Sequence, residues 1–290
     1  MNRLLLALLP LLLAMPAAPA RAGADVIVLQ STTSTRNSGL LDHLLPKFTA
    51  RTGIEVRVVA VGTGQALKNA RNGDGDALLV HARARELAFV AEGYGVLRCD
   101  VMYNDFVIVG PADDPAGIAG MRDAPAAFAR IAAAGAIFVS RGDDSGTHVK
   151  ERSLWRLAGI DPAAGAADWY REAGAGMGAT LNIAAGMEGY TLTDRASWIA
   201  FANKRNLALL VEGDPRLFNQ YGVILVNPAR HPAVNFAAAK AFRDWLVGPE
   251  GQAAIAAFRV KGQQLFFPNA DCGRAAQGPF QRTRPRPSGS

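Results

Sequence analysis

Val26-Ile27-Val28-Leu29-Gln30-Ser31-Thr32-Thr33-Ser34-Thr35-Arg36-Asn37-Ser38 begins as a β-branched apolar run and ends as a run of hydroxyls. The tetrad 26–29 reads as a buried strand. Beyond it, Gly39-Leu40-Leu41-Asp42-His43-Leu44-Leu45-Pro46-Lys47-Phe48 spaces its apolar residues as a helix does, which predicts a helix over 39–52. Between the two, residues 31–38 hold six hydroxyls and one arginine, with no acid among them. A strand opening onto a helix start lined with hydroxyl and amide donors suits an anion, and the absence of carboxylates removes what would repel one. Capping a helix takes one or two hydroxyls. Six exceed that need, so the segment points to anion contact.

The same strand-then-helix order recurs along the chain. Strands are expected at 55–60, 77–80, 102–111, 136–139, 207–211 and 221–228, and 169–172 is extended. Helices are expected at 65–72, 83–92, 125–134, 148–158, 180–187, 233–247 and 251–257, while 191–194 reads as the opening turn of a helix over 195–202. This alternation defines an α/β chain of doubly wound sheets. Roughly 250 ordered residues exceed one ordinary core, so two lobes are expected. The apolar strands ending at Pro111 and Pro228 resemble each other and read as the crossings between lobes. Lobe I then comprises 24–108 plus 224–272, and lobe II comprises 109–223. A ligand cleft lies between them, outside the carboxyl ends of the strands.

A second lobe facing the hydroxyl run should carry donors of its own. Ser140-Arg141-Gly142-Asp143-Asp144-Ser145-Gly146-Thr147-His148 follows an apolar strand and precedes a helix, and it contains a fixed positive charge. A guanidinium offers an oxyanion two parallel hydrogen bonds. The competing reading makes Asp143 or Asp144 the helix cap and Arg141 its ion-pair partner, which would also orient the arginine. Gly62-Thr63-Gly64-Gln65 is a third donor segment, whose small residues let backbone amides approach a ligand. The four tryptophans, Trp155, Trp169, Trp198 and Trp245, read as core packing.

The ends of the chain indicate its compartment. Arg3, the apolar run 4–14 and Ala20-Arg21-Ala22 form a secretory leader over 1–22, cut before Gly23. No later stretch approaches the about 20 apolar residues of a membrane span. The net charge of +6 is misleading, because Arg3, Arg21, Arg274, Arg282, Arg284 and Arg286 belong to the leader and to a Pro/Gly/Ser/Arg tail over 273–290. Setting these six aside leaves 25 of the 31 basic residues against 25 acidic ones, which argues against a nucleic-acid partner. The tail reads as disordered. An oxidising compartment allows Cys99 and Cys272 to pair, but their spacing leaves open whether they meet. His43, His81, His148 and His231 are scattered without zinc-ligand spacing, so neither a cation site nor a cofactor is expected.

Taken in order, Ser31-Thr32-Thr33-Ser34-Thr35, Ser38-Gly39-Leu40-Leu41, Asp76-Ala77-Leu78-Leu79-Val80-His81, Tyr103-Asn104-Asp105-Phe106, Ser140 to Thr147 and Tyr190-Thr191-Leu192-Thr193-Asp194-Arg195 resemble the TupA-type tungstate-binding proteins of ABC importers. The resemblance runs from about Val26 to Phe267 and is specific in combination. It implies the two-lobed fold of type II periplasmic binding proteins, tungstate as ligand, and delivery to an ABC permease and ATPase at the inner membrane. With the secretory leader, the expected location is the periplasm, and a monomer is expected. The family's Thr-Thr-Thr-Ser signature falls on Ser31-Thr32-Thr33-Ser34, so serine stands first here. Thr32, Arg141 and Thr147 are carried over as oxyanion contacts, with Thr33 in the same signature. Ser34, Thr63 and Ser145 join them as donors in the same loops.

Other readings make different demands on these residues. Phosphate carries a proton near neutral pH and calls for an acceptor, which Asp143 or Asp144 would supply. Molybdate and sulfate would use the same donors as tungstate. A secreted hydrolase would need Ser145 or Ser34 as nucleophile and His148 as base. There is no Gly-x-Ser-x-Gly turn, and His148 lies only three residues from Ser145, a poor basis for a triad.

Overall fold

The computed structural model describes residues 25–164 and 168–273. The expected leader over 1–22, and all of the expected tail except Gly273, lie outside the described residues.

The apolar tetrad does form a strand, β1 (Val26–Thr32), longer than expected because Gln30, Ser31 and Thr32 continue its ladder. The hydroxyl run then turns at once into a short helix, α1 (Thr33–Asn37), followed by α2 (Leu40–Thr52). Gly53, at φ +77, ends α2 in the left-handed conformation that glycine adopts without strain. β2 (Glu55–Val61), α3 (Thr63–Asn72), β3 (Ala77–Val80) and α4 (Arg83–Ala91) follow in the expected order. β1 pairs parallel with both β2 and β3.

The next strand, β4 (Gly95–Pro111), has 17 residues. After it come α5 (Ala124–Ala133), β5 (Phe138–Ser140), α6 (Gly146–Leu157), β6 (Tyr170–Glu172) and α7 (Met177–Met187). β7 (Thr191–Asp194), α8 (Arg195–Ala200), β8 (Leu207–Val211) and β9 (Phe218–Val226) complete the middle of the chain. The C-terminal part holds α9 (Phe236–Val247), α10 (Pro249–Ala257), the two-residue strands β10 (Arg259–Val260) and β11 (Gln263–Gln264), and β12 (Phe267–Asp271). The strand order is β12-β4-β9-β3-β1-β2, with β7 and β8 joined to the far end of β4.

β4 organises the molecule by changing partners along its length. Residues from Gly95 to Asp105 pair with β9, whereas Phe106 to Pro111 pair with β7 and β8. Each half is packed on both faces. In β3, Ala77 and Leu79 meet the core beneath α2 and α9, while Leu78 and Val80 meet the core beneath α3 and α4. In the second half of β4, Phe106 and Ile108 join the core with Phe128 and Trp155, while Val107 and Val109 join Leu181 and Ala184 of α7. Both faces are thus covered by helices, and the strands read as continuous apolar runs for that reason. All four tryptophans pack in or against these cores, as the sequence suggests.

Two readings need correction, and one element is added. Residues 191–194 are not the first turn of a helix but a strand, whose Thr191–Asp194 register with Val109–Phe106 wins over the local turn preference. The hydroxyl run is not a loop: Ser31 and Thr32 end β1, Thr33–Asn37 form α1, and Ser38 caps it. β12, unread in the sequence, adds an antiparallel edge to β4 and brings Cys272 within 4.2 Å (Cα–Cα) of Cys99, where the two form a disulfide. Among the described residues no helix is long and apolar enough to cross a membrane.

Candidate functional site

The hydroxyl run divides into residues that build the structure and one that does not. Thr32 caps α1, accepting from the Thr35 amide at 3.2 Å, and its hydroxyl also meets Thr35 Oγ1 at 2.6 Å and Ser34 Oγ at 3.0 Å. Ser31 donates to the Leu79 carbonyl and Ser38 to the Thr35 carbonyl. Of the six, only Thr33 Oγ1 is a buried hydroxyl with no partner among the described residues.

Ser34 belongs to a polar relay that the sequence did not reveal. Its hydroxyl lies 3.2 Å from His81 Nε2, and His81 Nδ1 lies 3.1 Å from Asn219 Oδ1. Asn219 Nδ2 donates to Asn104 Oδ1 at 2.6 Å, which leaves Asn219 Oδ1 to accept from His81 Nδ1–H. His81 Nε2 is then the acceptor for the Ser34 proton, a tautomer assigned from this network. Burial, followed by the positive charge of Arg141, pushes the His81 pKa down to about 4, so the ring is neutral.

The opposing segment is built around Arg141, which is 2% exposed. Its Nη2 pairs with Asp143, whose other oxygen accepts from the Ser145 amide, so the carboxylate fixes the guanidinium to the loop. Gly142, at φ +58, makes the turn. The cap of α6 is Ser145, which accepts from the His148 amide at 3.2 Å. Asp144 is not a cap either: it reaches Arg85 on α4, with Arg85 Nη1 donating to Oδ2 at 2.7 Å. Arg141 Nε and Thr147 Oγ1 are buried without partners. Behind this loop, Glu151 accepts from Ser140, Tyr170 and Trp155. Burial raises its pKa to about 7 against the pull of these donors.

Close backbone approaches join the segments. A Cβ on Gly62 would stand 3.4 Å from the Asp143 carbonyl, and one on Gly146 would stand 2.8 Å from the His81 ring. Gly176, the cap position of α7, sits 3.7 Å by the same measure from Thr33 Oγ1. Thr63, at the first turn of α3 and fully buried, again has an unpartnered hydroxyl. The seven residues singled out in the sequence therefore fall into one connected cluster, in two groups. Thr32, Ser34 and Ser145 have hydroxyls engaged in caps or in the relay, whereas Thr33, Thr63, Arg141 and Thr147 present buried polar atoms with nothing to bond.

Such atoms are expensive to bury. Three hydroxyls and a guanidinium N–H, beside the N-termini of α3 and α6, form a donor set that an oxyanion would satisfy. His81, Asn104 and Asn219 escaped sequence reasoning because their roles arise from strand pairing across more than a hundred residues. Among the described residues no group of histidine, cysteine or carboxylate side chains is arranged to hold a metal cation.

The fold and its donor-lined cluster define a solute-binding protein class, and comparison with known proteins agrees. Residues 17–250 match the family model described as a PBP superfamily domain, and the chain belongs to that superfamily. The tungstate-binding protein TupA of Peptoclostridium acidaminophilum is 48% identical over 248 residues, covering 84% of this chain and 86% of that one. The solved structure of the tungstate-binding protein TupA from Desulfovibrio alaskensis G20 is 51% identical with a TM-score of 0.74, covering 86% of this chain and all of that one. The structure of the tungstate ABC transporter from Geobacter sulfurreducens is 50% identical, also at TM-score 0.74, over 80% of this chain and 98% of that one. Within the superfamily, then, the chain belongs to the family of the TupA tungstate-binding proteins.

Proposed function

We propose that the protein captures tungstate outside the cytoplasm and passes it, as a periplasmic monomer, to an ABC permease and ATPase. The observation that carries this reading is the set of buried, unpartnered donors on Thr33, Thr63, Arg141 and Thr147. Tungstate is an unprotonated tetraoxo dianion near neutral pH and needs donors on all sides. The names of the relatives support the same ligand and the same transport role. In this reading Thr32, Ser34 and Ser145 frame the site.

The two-lobe division at 24–108 with 224–272 and at 109–223 belongs to the same proposal. The change of partner on β4 between Asp105 and Phe106 supports a first crossing close to that boundary, whereas the pairing of β9 with β4 from Phe218 onward favours a second crossing before Phe218, which would move 218–223 into lobe I. The Arg85–Asp144 ion pair would then clasp one lobe to the other.

Phosphate fits less well. Both carboxylates that would accept its proton are committed, Asp143 to Arg141 and the Ser145 amide, Asp144 to Arg85. The hydrolase reading loses its base, since the His148 ring receives the Asp144 amide on Nδ1 and the Ser145 hydroxyl meets only the His148 backbone. Calorimetric titration of the mature chain with tungstate, molybdate, sulfate and phosphate tests the proposal. Tungstate is expected to bind tightly; heat from phosphate alone would overturn the assignment. Arg141→Ala and Thr147→Val should each weaken tungstate binding, the first by about 1.5–3 kcal/mol or more, as for a hydrogen bond to a charged group. Thr147→Val should leave the free protein at least as stable as before, because it removes a buried hydroxyl that bonds nothing there. Wild-type affinity in both variants would place the site elsewhere.

A further inference from the structure

The cluster contains one acid that none of the donor logic uses. Asp194 closes the Tyr190-Thr191-Leu192-Thr193-Asp194-Arg195 segment and stands opposite Phe106 in the β4–β7 register. Phe106 in turn lies 6.4 Å, ring to ring, from His81, so Asp194 is on the face that carries the relay. It is 1% exposed. One oxygen, Oδ1, accepts from the Ser197 amide at 2.9 Å and caps α8, and the Ser197 hydroxyl is the carboxyl's other polar neighbour, favouring its ionised form. Neither Asp194 Oδ2 nor the Ser197 hydroxyl makes a well-formed hydrogen bond among the described residues.

The charged and titratable groups facing Asp194 are few. Arg141, from the loop before α6, acts on it electrostatically, but that guanidinium is already paired with Asp143. Tyr221 of β9 feels the Asp194 charge, and its phenol stays protonated. His81, its ring tilted against Tyr221 at 4.7 Å, is neutral. Arg195, next in sequence, is turned away to Asp105 and Glu212. Burial accordingly outweighs Ser197 and Arg141, and the Asp194 pKa lies above the ordinary carboxylate value.

We propose that Asp194 is a specificity-determining residue of the oxyanion site: as the neutral acid it donates its proton to one oxygen of an unprotonated tetraoxo dianion, and binding draws that proton from solvent. The inference rests on the oxyanion reading of the cluster. An ionised Asp194 would repel a dianion in a buried site, yet would accept the proton of a hydrogen phosphate. The protonation state of one carboxyl thus favours either an anion without a proton or an anion that carries one. Because the dianion stabilises the neutral acid, the Asp194 pKa rises further on binding. Affinity for tungstate therefore falls as pH climbs from the free to the bound value.

The test is titration of the full mature chain with sodium tungstate in buffers of different ionisation enthalpy, from neutral pH upward. Wild type is expected to take up about one proton per tungstate where the free carboxyl is ionised, with affinity falling by as much as about tenfold per pH unit. In Asp194→Asn, whose amide caps α8 equally well and donates permanently, uptake should vanish and the pH profile flatten. Asp194→Ser, which keeps a capping hydroxyl but has no titratable group, should lose the uptake as well. No uptake in wild type, or uptake retained in either variant, would overturn the inference. If Asp194→Asn does not fold, wild type and Asp194→Ser still decide it. Failure of wild type to bind tungstate at all, with phosphate binding instead, would defeat the functional reading itself, a separable outcome.

Discussion

A threonine hydroxyl buried without a partner carries a desolvation cost that the free protein bears, and this site has three of them on Thr33, Thr63 and Thr147. Their neighbours Thr32 and Ser34, equally prominent in the sequence, are spent on a cap and on the relay to His81. No property of the residues themselves separates the two groups, since a threonine has the same donor and acceptor wherever it stands. His81 carries a consequence for pH. Its pKa of about 4 lies below the 6.5 of an ordinary histidine, so the unfolded chain binds a proton there that the native chain refuses. The stability this residue contributes is complete above pH 6.5 and is lost as pH falls toward 4. His81→Gln should therefore flatten the decline of melting temperature between those two values. An unchanged slope would mean that His81 is protonated in the native state.

At the scale of elements, α3 and α6 aim their N-termini at the cluster because each follows a strand directly, through Gly62 and through the Arg141–Ser145 turn. Each terminus acts as about half a positive charge, which helps to offset a dianion. Their spacing depends on the absence of a side chain at Gly146, where a Cβ would come within 2.8 Å of the His81 ring and 3.1 Å of the His81 carbonyl. Gly146→Ala should cost about 1–3 kcal/mol as an overpacked contact and should weaken oxyanion binding as α6 shifts. Calorimetry and thermal melting read the two effects, and a variant that binds as wild type would show that α6 has room to move. Most of these elements were legible in the sequence, β3 to the residue, because a strand buried on both faces is an unbroken apolar run. The first half of β4 was not. Arg98 and Asp100 interrupt its apolar pattern, and only the fold supplies Glu86, whose carboxylate meets Arg98 Nε at 2.8 Å in the interior. β7 was misread for a related reason: four residues of mixed polarity become a strand only when β4 lies beside them.

For the whole molecule, the strand that links the two sets of cores also carries the disulfide. Cys99 and Cys272 close a span of 173 residues and tie the β12 edge to β4. In the chain-entropy limit a loop of that length contributes about 5 kcal/mol by restricting the unfolded chain. Reduction, or the double substitution Cys99→Ser with Cys272→Ser, should lower the denaturant midpoint by a large step while the folded fraction still binds tungstate. Equal midpoints for the oxidised and reduced chains would show that β12 holds without the bridge. The amino-acid sequence by itself determined the α/β class, most of the order of elements, the donor-rich segments at strand ends and the family to which the chain belongs. All of these follow from local periodicity, from turn chemistry and from motifs in fixed order. Tertiary structure alone decided that the two cysteines meet, that Asp143 serves Arg141 while Asp144 serves Arg85, and which hydroxyls are left without partners. Hydrogen bonds are satisfied in space, and a residue's free valence is known only when its neighbours are.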